Sequence, residues 1–264
     1  MHRKSKATAA LVAVLFGLVL VGSTIASQGN EWNSAGGDRQ NTRYQASEHT
    51  LSAANVANLG VKWAFTTGGD VSATPAVDAD TVYVPDWAGN LYAVDKTTGA
   101  LKWQTSIAAA SGVFLDKART TPAVTDSLVI VGTQGSAIAK AVFPCPICGA
   151  GGQVLAFNKF TGALVWKTTA DAHPAAIITQ SATVFGGRVY VGVASLEEAL
   201  AAAFIRGGNS YTLSFRGSML ALDLATGAIL WKTDTAPAGY TGNAIWGSSP
   251  AIDTKRGQEI ESVV

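Results

Sequence analysis

Residues 91–103 read LYAVDKTTGALKW, and nearly the same phrase returns twice further along the chain. The second copy, LAFNKFTGALVW, covers residues 155–166, and the third, LALDLATGAILW, covers residues 220–231. In each copy, alternating apolar residues lead to Asp or Asn, then to Thr-Gly, then to a second apolar run that ends in Trp. Asp and Asn bond the backbone ahead of them and Gly adopts a positive φ, so each phrase predicts a β-hairpin.

Two further short apolar runs precede each hairpin. They are ATPAVD and TVYVP (73–78 and 81–85), TPAVT and LVIVG (121–125 and 128–132), and SATVF and RVYVG (181–185 and 188–192). A fourth copy opens with SPAID at 249–253. Four strands per repeat, at a period of a few tens of residues, are typical of a β-propeller blade. The sequence therefore predicts an all-β propeller fold with blades over about residues 60–107, 119–171 and 180–235, and the start of a fourth at 246–264.

The spacing of the repeats predicts two insertions. Trp63 and Trp103 are 40 residues apart, which is a bare blade, and the next two intervals are longer. The extra residues fall at about Gln134–Gly152 and Ser195–Gly217, and residues 196–204 within the second predict a helical turn. Because insertions on regular blades form loops, these are the places where a site is expected.

The N-terminus predicts export. Residues 1–6, MHRKSK, form a basic segment, residues 11–22 are unbroken apolar, and TIA at 24–26 supplies small residues for cleavage. This order predicts a signal peptide over residues 1–26 and a periplasmic or secreted protein. A retained anchor is the alternative, because residues 7–26 carry no charge. Residues 27–264 are then one partial propeller domain.

Composition excludes two classes of partner. The formal net charge is +1 and only 14% of residues are charged. No basic field exists that would gather nucleic acid or an anionic membrane. We therefore expect no nucleic-acid partner, and membrane contact only through the signal segment.

Cys145 and Cys148 are the only two cysteines, in the sequence Cys-Pro-Ile-Cys-Gly. This spacing is compatible with a loop disulfide, free thiols or a redox pair. Since a second cysteine pair is missing, structural zinc is not expected.

The repeat A-x-D-x-x-T-G-x-x-x-W resembles the blade motif of the quinoprotein alcohol dehydrogenases, which bind pyrroloquinoline quinone (PQQ). WNSAGGDRQNTRY at 32–44, followed by NVANL at 55–59, resembles the opening of that family. AIWGSSPAID at 244–253 resembles its segment beneath the cofactor. HPAAIITQ at 173–180 and SLEE at 195–198 are most similar to the polyvinyl alcohol dehydrogenase branch.

The resemblance implies five site residues. Trp246 matches the indole that stacks on the quinone, and Thr179 and Arg119 match groups that bind the charged cofactor. Ser195 is likewise assigned to the cofactor. Glu197 matches the carboxylate that ligates calcium, a cation that prefers oxygen ligands. Arg119, Thr179, Glu197 and Trp246 are expected to face the central axis from different blades.

Each assignment has an alternative from the residues alone. Trp246 could be another indole packed between blades, and Glu197 could be a solvated residue of the inserted turn, with Glu198 in its place. His49 and His173 are interpreted as loop histidines, because no partner carboxylate lies near either in sequence. The indoles that end the repeats are assigned to packing between blades: Trp103, Trp166 and Trp231.

The resemblance implies a periplasmic alcohol oxidoreductase of the polyvinyl alcohol dehydrogenase type that depends on PQQ and calcium and passes electrons to cytochrome c. That family has an eight-bladed propeller, and its catalytic aspartate would lie beyond residue 264. We therefore assign no catalytic residue here and expect this portion to be inactive by itself. Val113 and Phe114 stand where many members carry adjacent cysteines. A non-enzymatic propeller scaffold of the cell envelope is the alternative, and such a scaffold would have no use for Glu197 or an exposed Trp246.

Overall fold

The computed structural model describes residues 31–135, 152–253 and 258–260. The predicted signal segment and the pair Cys145 and Cys148 lie outside the described residues. In the ranges just given, no helix is both long and apolar enough to cross a membrane.

Antiparallel sheets of four or five strands follow one another along the chain. The first contains β1 (Ala76–Val77), β2 (Thr81–Pro85), β3 (Asn90–Asp95) and β4 (Leu101–Ser106). The second contains β5 (Ala123–Val124), β6 (Leu128–Gly132), β7 (Gln153–Asn158) and β8 (Leu164–Thr169). The third contains β10 (Thr183–Phe185), β11 (Arg188–Ser195), β12 (Ser218–Asp223) and β13 (Ile229–Asp234), with β9 (Ala176–Ile177) also paired to β11. A two-stranded sheet of β14 (Ala251–Asp253) and β15 (Gln258–Ile260) follows. These are three blades of an incomplete β-propeller and the start of a fourth, as the repeats predict.

Burial shows that the sheets stack face to face. All five residues of β6 are buried, which is typical of a strand covered on both faces. The outermost strands β4, β8 and β13 are mostly exposed. Each pairs with its neighbour through a bulge beside the same alanine of the repeat, at Ala93, Ala156 and Ala221. The three repeats therefore have the same local geometry as well as similar sequences.

The predicted turn chemistry is confirmed. Asp95 Oδ1 accepts hydrogen bonds from the backbone N–H groups of Thr97 and Thr98, and Asn158 and Asp223 occupy the same place in the next two repeats. Gly99, the glycine of the first turn, has φ +75°. A short polar side chain and a left-handed glycine thus close each hairpin.

Each of these turns also receives a tryptophan from the preceding repeat. The indole Nε1 of Trp103 donates to the carbonyl of Lys159 at 2.9 Å, and its ring lies against Gly162. Trp166 makes the same contacts with Leu224 and Gly227 in the next blade. The predicted role of these two indoles in packing between blades is confirmed.

The N-terminal segment runs along the inner strands of three sheets. Trp32 exchanges two backbone hydrogen bonds of 2.7 Å with Val77 of β1, and Asn33 accepts one of 2.9 Å from Val124 of β5. The carbonyl of Arg39 accepts a hydrogen bond from Ile252 of β14. Because β1, β5 and β14 all meet one stretch of chain, their free edges converge, as the inner strands of a propeller must.

Two helices and one 3-10 turn complete the described chain: α1 (Ile107–Ser111), α2 (Glu197–Arg206) and the 3-10 helix Val56–Asn58. Helix α2 confirms the helical turn predicted in the second insertion. Helix α1 was not predicted, although Ser106 gives a local signal, since its hydroxyl accepts from the N–H of Ala109 as an N-cap.

Candidate functional site

Two of the predicted site residues occupy the same position in neighbouring blades. Ala123 pairs with Ile130 in the second blade, and Thr183 pairs with Tyr190 in the third, at corresponding points of the repeat. Arg119 lies four residues before Ala123, and Thr179 lies four residues before Thr183. Both therefore stand where the chain enters the innermost strands of adjacent blades.

Arg119 extends from this position onto an indole of the first blade. Its Cζ lies 5.8 Å from the centroid of the Trp87 ring, and the Lys117 Nζ lies 5.4 Å from the same centroid. The Trp87 Nε1 donates to the Ser72 hydroxyl at 2.8 Å. Ser72 is itself the counterpart of Arg119 in the first blade, four residues before Ala76 of β1. Sequence reasoning missed Trp87, whose position in a hairpin turn carries no signal of its own.

Thr179 and Trp246 form a pair across two blades. The Thr179 hydroxyl donates to the backbone carbonyl of Trp246, and the Trp246 side chain is 41% exposed. The adjacent Ile245 is buried against Gly192 of β11, where an added Cβ would lie 2.5 Å from the Ile245 Cγ2. The backbone of this segment is thus anchored while the indole beside it remains accessible.

Glu197 is buried, with an exposed fraction of 3%. Its Oε1 accepts from the N–H of Ser214 at 2.8 Å and the hydroxyl of Ser214 at 3.1 Å, and its Oε2 accepts from the N–H of Phe215 at 2.9 Å. The Tyr211 hydroxyl lies 3.4 Å from Oε1. Burial, and then the Glu197 charge, raise the pKa of the Tyr211 hydroxyl above its usual value. The carboxylate therefore holds the inserted segment after α2 against the third blade.

Ser195 and His173 complete this cluster. The Ser195 hydroxyl is buried and accepts from the N–H of Glu197 at 3.3 Å. The His173 Nε2 lies 3.4 Å from the Glu197 Oε1 and 3.0 Å from the Ser214 hydroxyl, while its Nδ1 accepts from the N–H of Ala175. His173 lies in a loop, as interpreted from the sequence, but it has a partner carboxylate that comes from a more distant part of the third blade. Glu198, the alternative to Glu197, is exposed.

The predicted residues thus fall into three groups. Thr179 and Trp246 form one pair, Ser195 and Glu197 form a second, and Arg119 lies with Trp87 of the first blade. The first pair and Arg119 occupy the entrances to inner strands, and the second pair lies between β11 and α2.

These three groups offer few possible ligands for a metal ion. In the described part of the chain, no three His, Cys, Asp or Glu side chains come close enough to hold one. Calcium takes six to eight oxygens, and the Glu197 carboxylate already accepts from several protein donors. The described residues therefore do not by themselves make a calcium site. A guanidinium and an exposed indole at the strand entrances are groups that suit a flat anion better, while the Thr179 hydroxyl already donates to the Trp246 carbonyl.

Comparisons with known proteins agree with the repeat pattern. The PQQ_2 family model, described as outer membrane protein assembly factor BamB, matches residues 35–142. A polyvinylalcohol dehydrogenase of Pseudomonas sp is 32% identical over 244 residues, covering 86% of this chain and 35% of that protein. A second, from Sphingopyxis sp. strain 113P3, is 30% identical over 241 residues, covering 86% and 34%. The resemblance to the PQQ quinoprotein alcohol dehydrogenases is confirmed.

A solved structure of this kind shares the fold. The quinohemoprotein alcohol dehydrogenase from Comamonas testosteroni superposes with a TM-score of 0.63 at 21% identity, covering 87% of this chain and 34% of that one. The chain spans about a third of the length of the curated relatives it matches. The resemblance therefore concerns one portion of a quinoprotein alcohol dehydrogenase.

Proposed function

We propose that these blades form part of a PQQ-dependent alcohol oxidoreductase of the cell envelope, acting on alcohols of the polyvinyl alcohol type. The observation that carries the proposal is the placement of Arg119 and Thr179 at equivalent strand entrances, with Thr179 bonded to Trp246. Similarity to two polyvinylalcohol dehydrogenases supports the same substrate class.

Each of these side chains suits a flat quinone that carries carboxylates. The exposed indole of Trp246 offers a large π face for stacking, and the guanidinium of Arg119 offers paired donors to a carboxylate. The Thr179 hydroxyl holds the Trp246 backbone in place and so fixes the position from which the indole projects. When bound, PQQ supplies the two-electron capacity that takes up the hydride of an alcohol. The electrons are proposed to leave to a cytochrome c.

The calcium role of Glu197 and the cofactor role of Ser195 stay predictions. Glu197 Oε2 accepts one described hydrogen bond and so has room for one further partner. The remaining ligands would have to come from outside the described residues.

A second candidate function is a non-enzymatic scaffold of the envelope, which the description of the matching family model favours. Such a scaffold uses the same repeats and the same tryptophan packing. It gives no reason for an exposed indole bonded through its backbone to a hydroxyl at a strand entrance. Cofactor binding therefore separates the two candidates.

The test is a titration of the purified chain with PQQ up to millimolar concentration. Binding is measured by NMR and by equilibrium dialysis. We expect weak binding that Arg119→Met and Trp246→Leu each reduce severalfold. Phe160→Leu is the matched control, because Phe160 is an exposed aromatic residue in the β7–β8 turn, away from the strand entrances. Absence of PQQ binding, or an equal loss of PQQ affinity in all three variants, would favour the scaffold function.

Export is part of the same proposal. Periplasmic placement predicts that protein isolated from the cell envelope begins near Ser27. N-terminal sequencing decides this, and an intact Met1 on membrane-bound protein would instead support the retained anchor.

A further inference from the structure

Trp87 is held in place in a turn of the first blade. It lies in the turn between β2 and β3, its backbone N–H donates to the carbonyl of Asp70 at 2.8 Å, and its indole Nε1 donates to the Ser72 hydroxyl at 2.8 Å. The side chain is nevertheless 37% exposed. Two hydrogen bonds thus orient an indole whose surface is still partly open.

Two cations from the second blade lie against this indole. Lys117 and Arg119 flank Ala118, which is buried and bridges to Thr133. Because side chains alternate along an extended chain, Lys117 and Arg119 project to the same side, towards Trp87. Their charged groups lie 5.4 and 5.8 Å from the ring centroid, within the range of a cation–π interaction.

Within the described part of the chain, neither cation has a carboxylate partner. Among residues 31–135 and 152–253, the ion pairs involve other lysines and arginines, and neither Lys117 nor Arg119 has a carboxylate within 4.0 Å. An open cleft of about 740 Å³ borders Trp87 and Lys117, with Phe114 and Leu115 on its wall. The buried Asp116 also lines the cleft, and burial raises the pKa of its carboxyl. Lys117 borders this cleft and Arg119 lies against the same indole, so the two cations suit an anion, and the apolar wall suits a flat ring.

We infer that Trp87 is a positioning residue that holds Arg119 and Lys117 together as a paired binding site for the carboxylates of a planar aromatic anion. Lys117 is thereby a second cation of the site, in addition to Arg119. The inference rests on the proposed function in one respect, since PQQ is the planar anion expected there. The indole–cation geometry itself does not depend on that identity.

The test uses two probes on the full chain, PQQ and benzene-1,3,5-tricarboxylate, with affinities measured by NMR titration. Trp87→Leu removes the π face and should weaken both probes about two- to fivefold, the change that one exposed cation–π contact supports. Trp87→Phe keeps a ring and should recover part of the loss. Lys117→Met should weaken both probes and also flatten the salt dependence of binding, which a purely structural defect would not do.

The matched control removes a similar contact elsewhere. Lys159 Nζ lies 5.3 Å from the Phe160 ring centroid in the β7–β8 turn, so Phe160→Leu removes a cation–π pair of the same kind and should leave both affinities unchanged. Circular dichroism spectra and urea midpoints of all variants check that the fold is retained.

The outcomes separate the two hypotheses. Binding of the tricarboxylate but not PQQ, with dependence on Trp87 and Lys117, supports this inference and overturns the proposed function. Binding of PQQ that depends on Arg119 but not on Trp87 or Lys117 overturns this inference alone. If neither probe binds, both this inference and the proposed function are overturned.

Discussion

The contact between Trp103 and Gly162 can be tested by adding a single methyl group. Gly162 has φ +70°, and a Cβ built there would lie 2.7 Å from the Trp103 Cε3 and 2.9 Å from its Cδ2. The indole cannot simply move away, because its Nε1 donates to the carbonyl of Lys159. Gly162→Ala should therefore strain the backbone and also force the second blade away from the first.

The expected loss has two parts. A non-glycine residue in the left-handed region costs about 1–2 kcal/mol. Overpacking of a tight contact costs about 1–3 kcal/mol. The free energy of unfolding of Gly162→Ala, measured by urea denaturation, should therefore fall by about 2–5 kcal/mol.

Gly186→Ala separates these parts. Gly186 has φ +58° and nothing within 4 Å of an added Cβ, so it should show the backbone cost alone. The entropic effect of alanine on the unfolded chain cancels between the two variants. If Gly162→Ala loses no more stability than Gly186→Ala, the tryptophan–glycine contact does not hold the blades together. A Trp103→Ala, Gly162→Ala double variant should lose less than the sum of the single losses, because the two residues touch.

Three further predictions concern Glu197, the turn aspartates and turnover. Glu197→Ala should lower the free energy of unfolding by about 2–4 kcal/mol in the absence of calcium, because it leaves buried N–H donors unpaired. Exposed Glu198→Ala should change it by less than about 0.5 kcal/mol, and equal effects in a denaturant titration would contradict the buried network. Hydrogen bonds from the Thr226 hydroxyl and backbone lower the pKa of Asp223. Its contribution to stability is therefore present above the unfolded pKa of about 3.9 and is lost as the pH falls through the lower folded value. Asp223→Asn should make the acid-side loss of stability shallower and Asn158→Asp should make it steeper, and parallel acid titration curves for the three proteins would argue against this assignment. The purified chain should show no dye-linked alcohol oxidation with PQQ and calcium, because the described residues form no calcium site; turnover above a Glu197→Ala control would refute this expectation.

The blades were predictable from sequence because their signals are local. The Asp or Asn at 95, 158 and 223 bonds the backbone two and three residues ahead, and a left-handed glycine follows each one. These interactions span only a few residues, so a short sequence motif is enough to predict them. The family resemblance then singled out Arg119, Thr179 and Trp246, and the equivalent positions of Arg119 and Thr179 in the repeat could be counted from the sequence.

The partners of those residues were decided only by the tertiary structure. Trp87 meets Lys117 and Arg119 because the first and second blades stand side by side. His173 meets Glu197 because β9, just after His173, pairs with the end of β11, just before Glu197. Nothing in a repeat motif encodes the angle between successive sheets or the path of an insertion. Such contacts join side chains that are distant in sequence, and they follow from how whole sheets pack, which is a property of the chain as a whole rather than of any one segment.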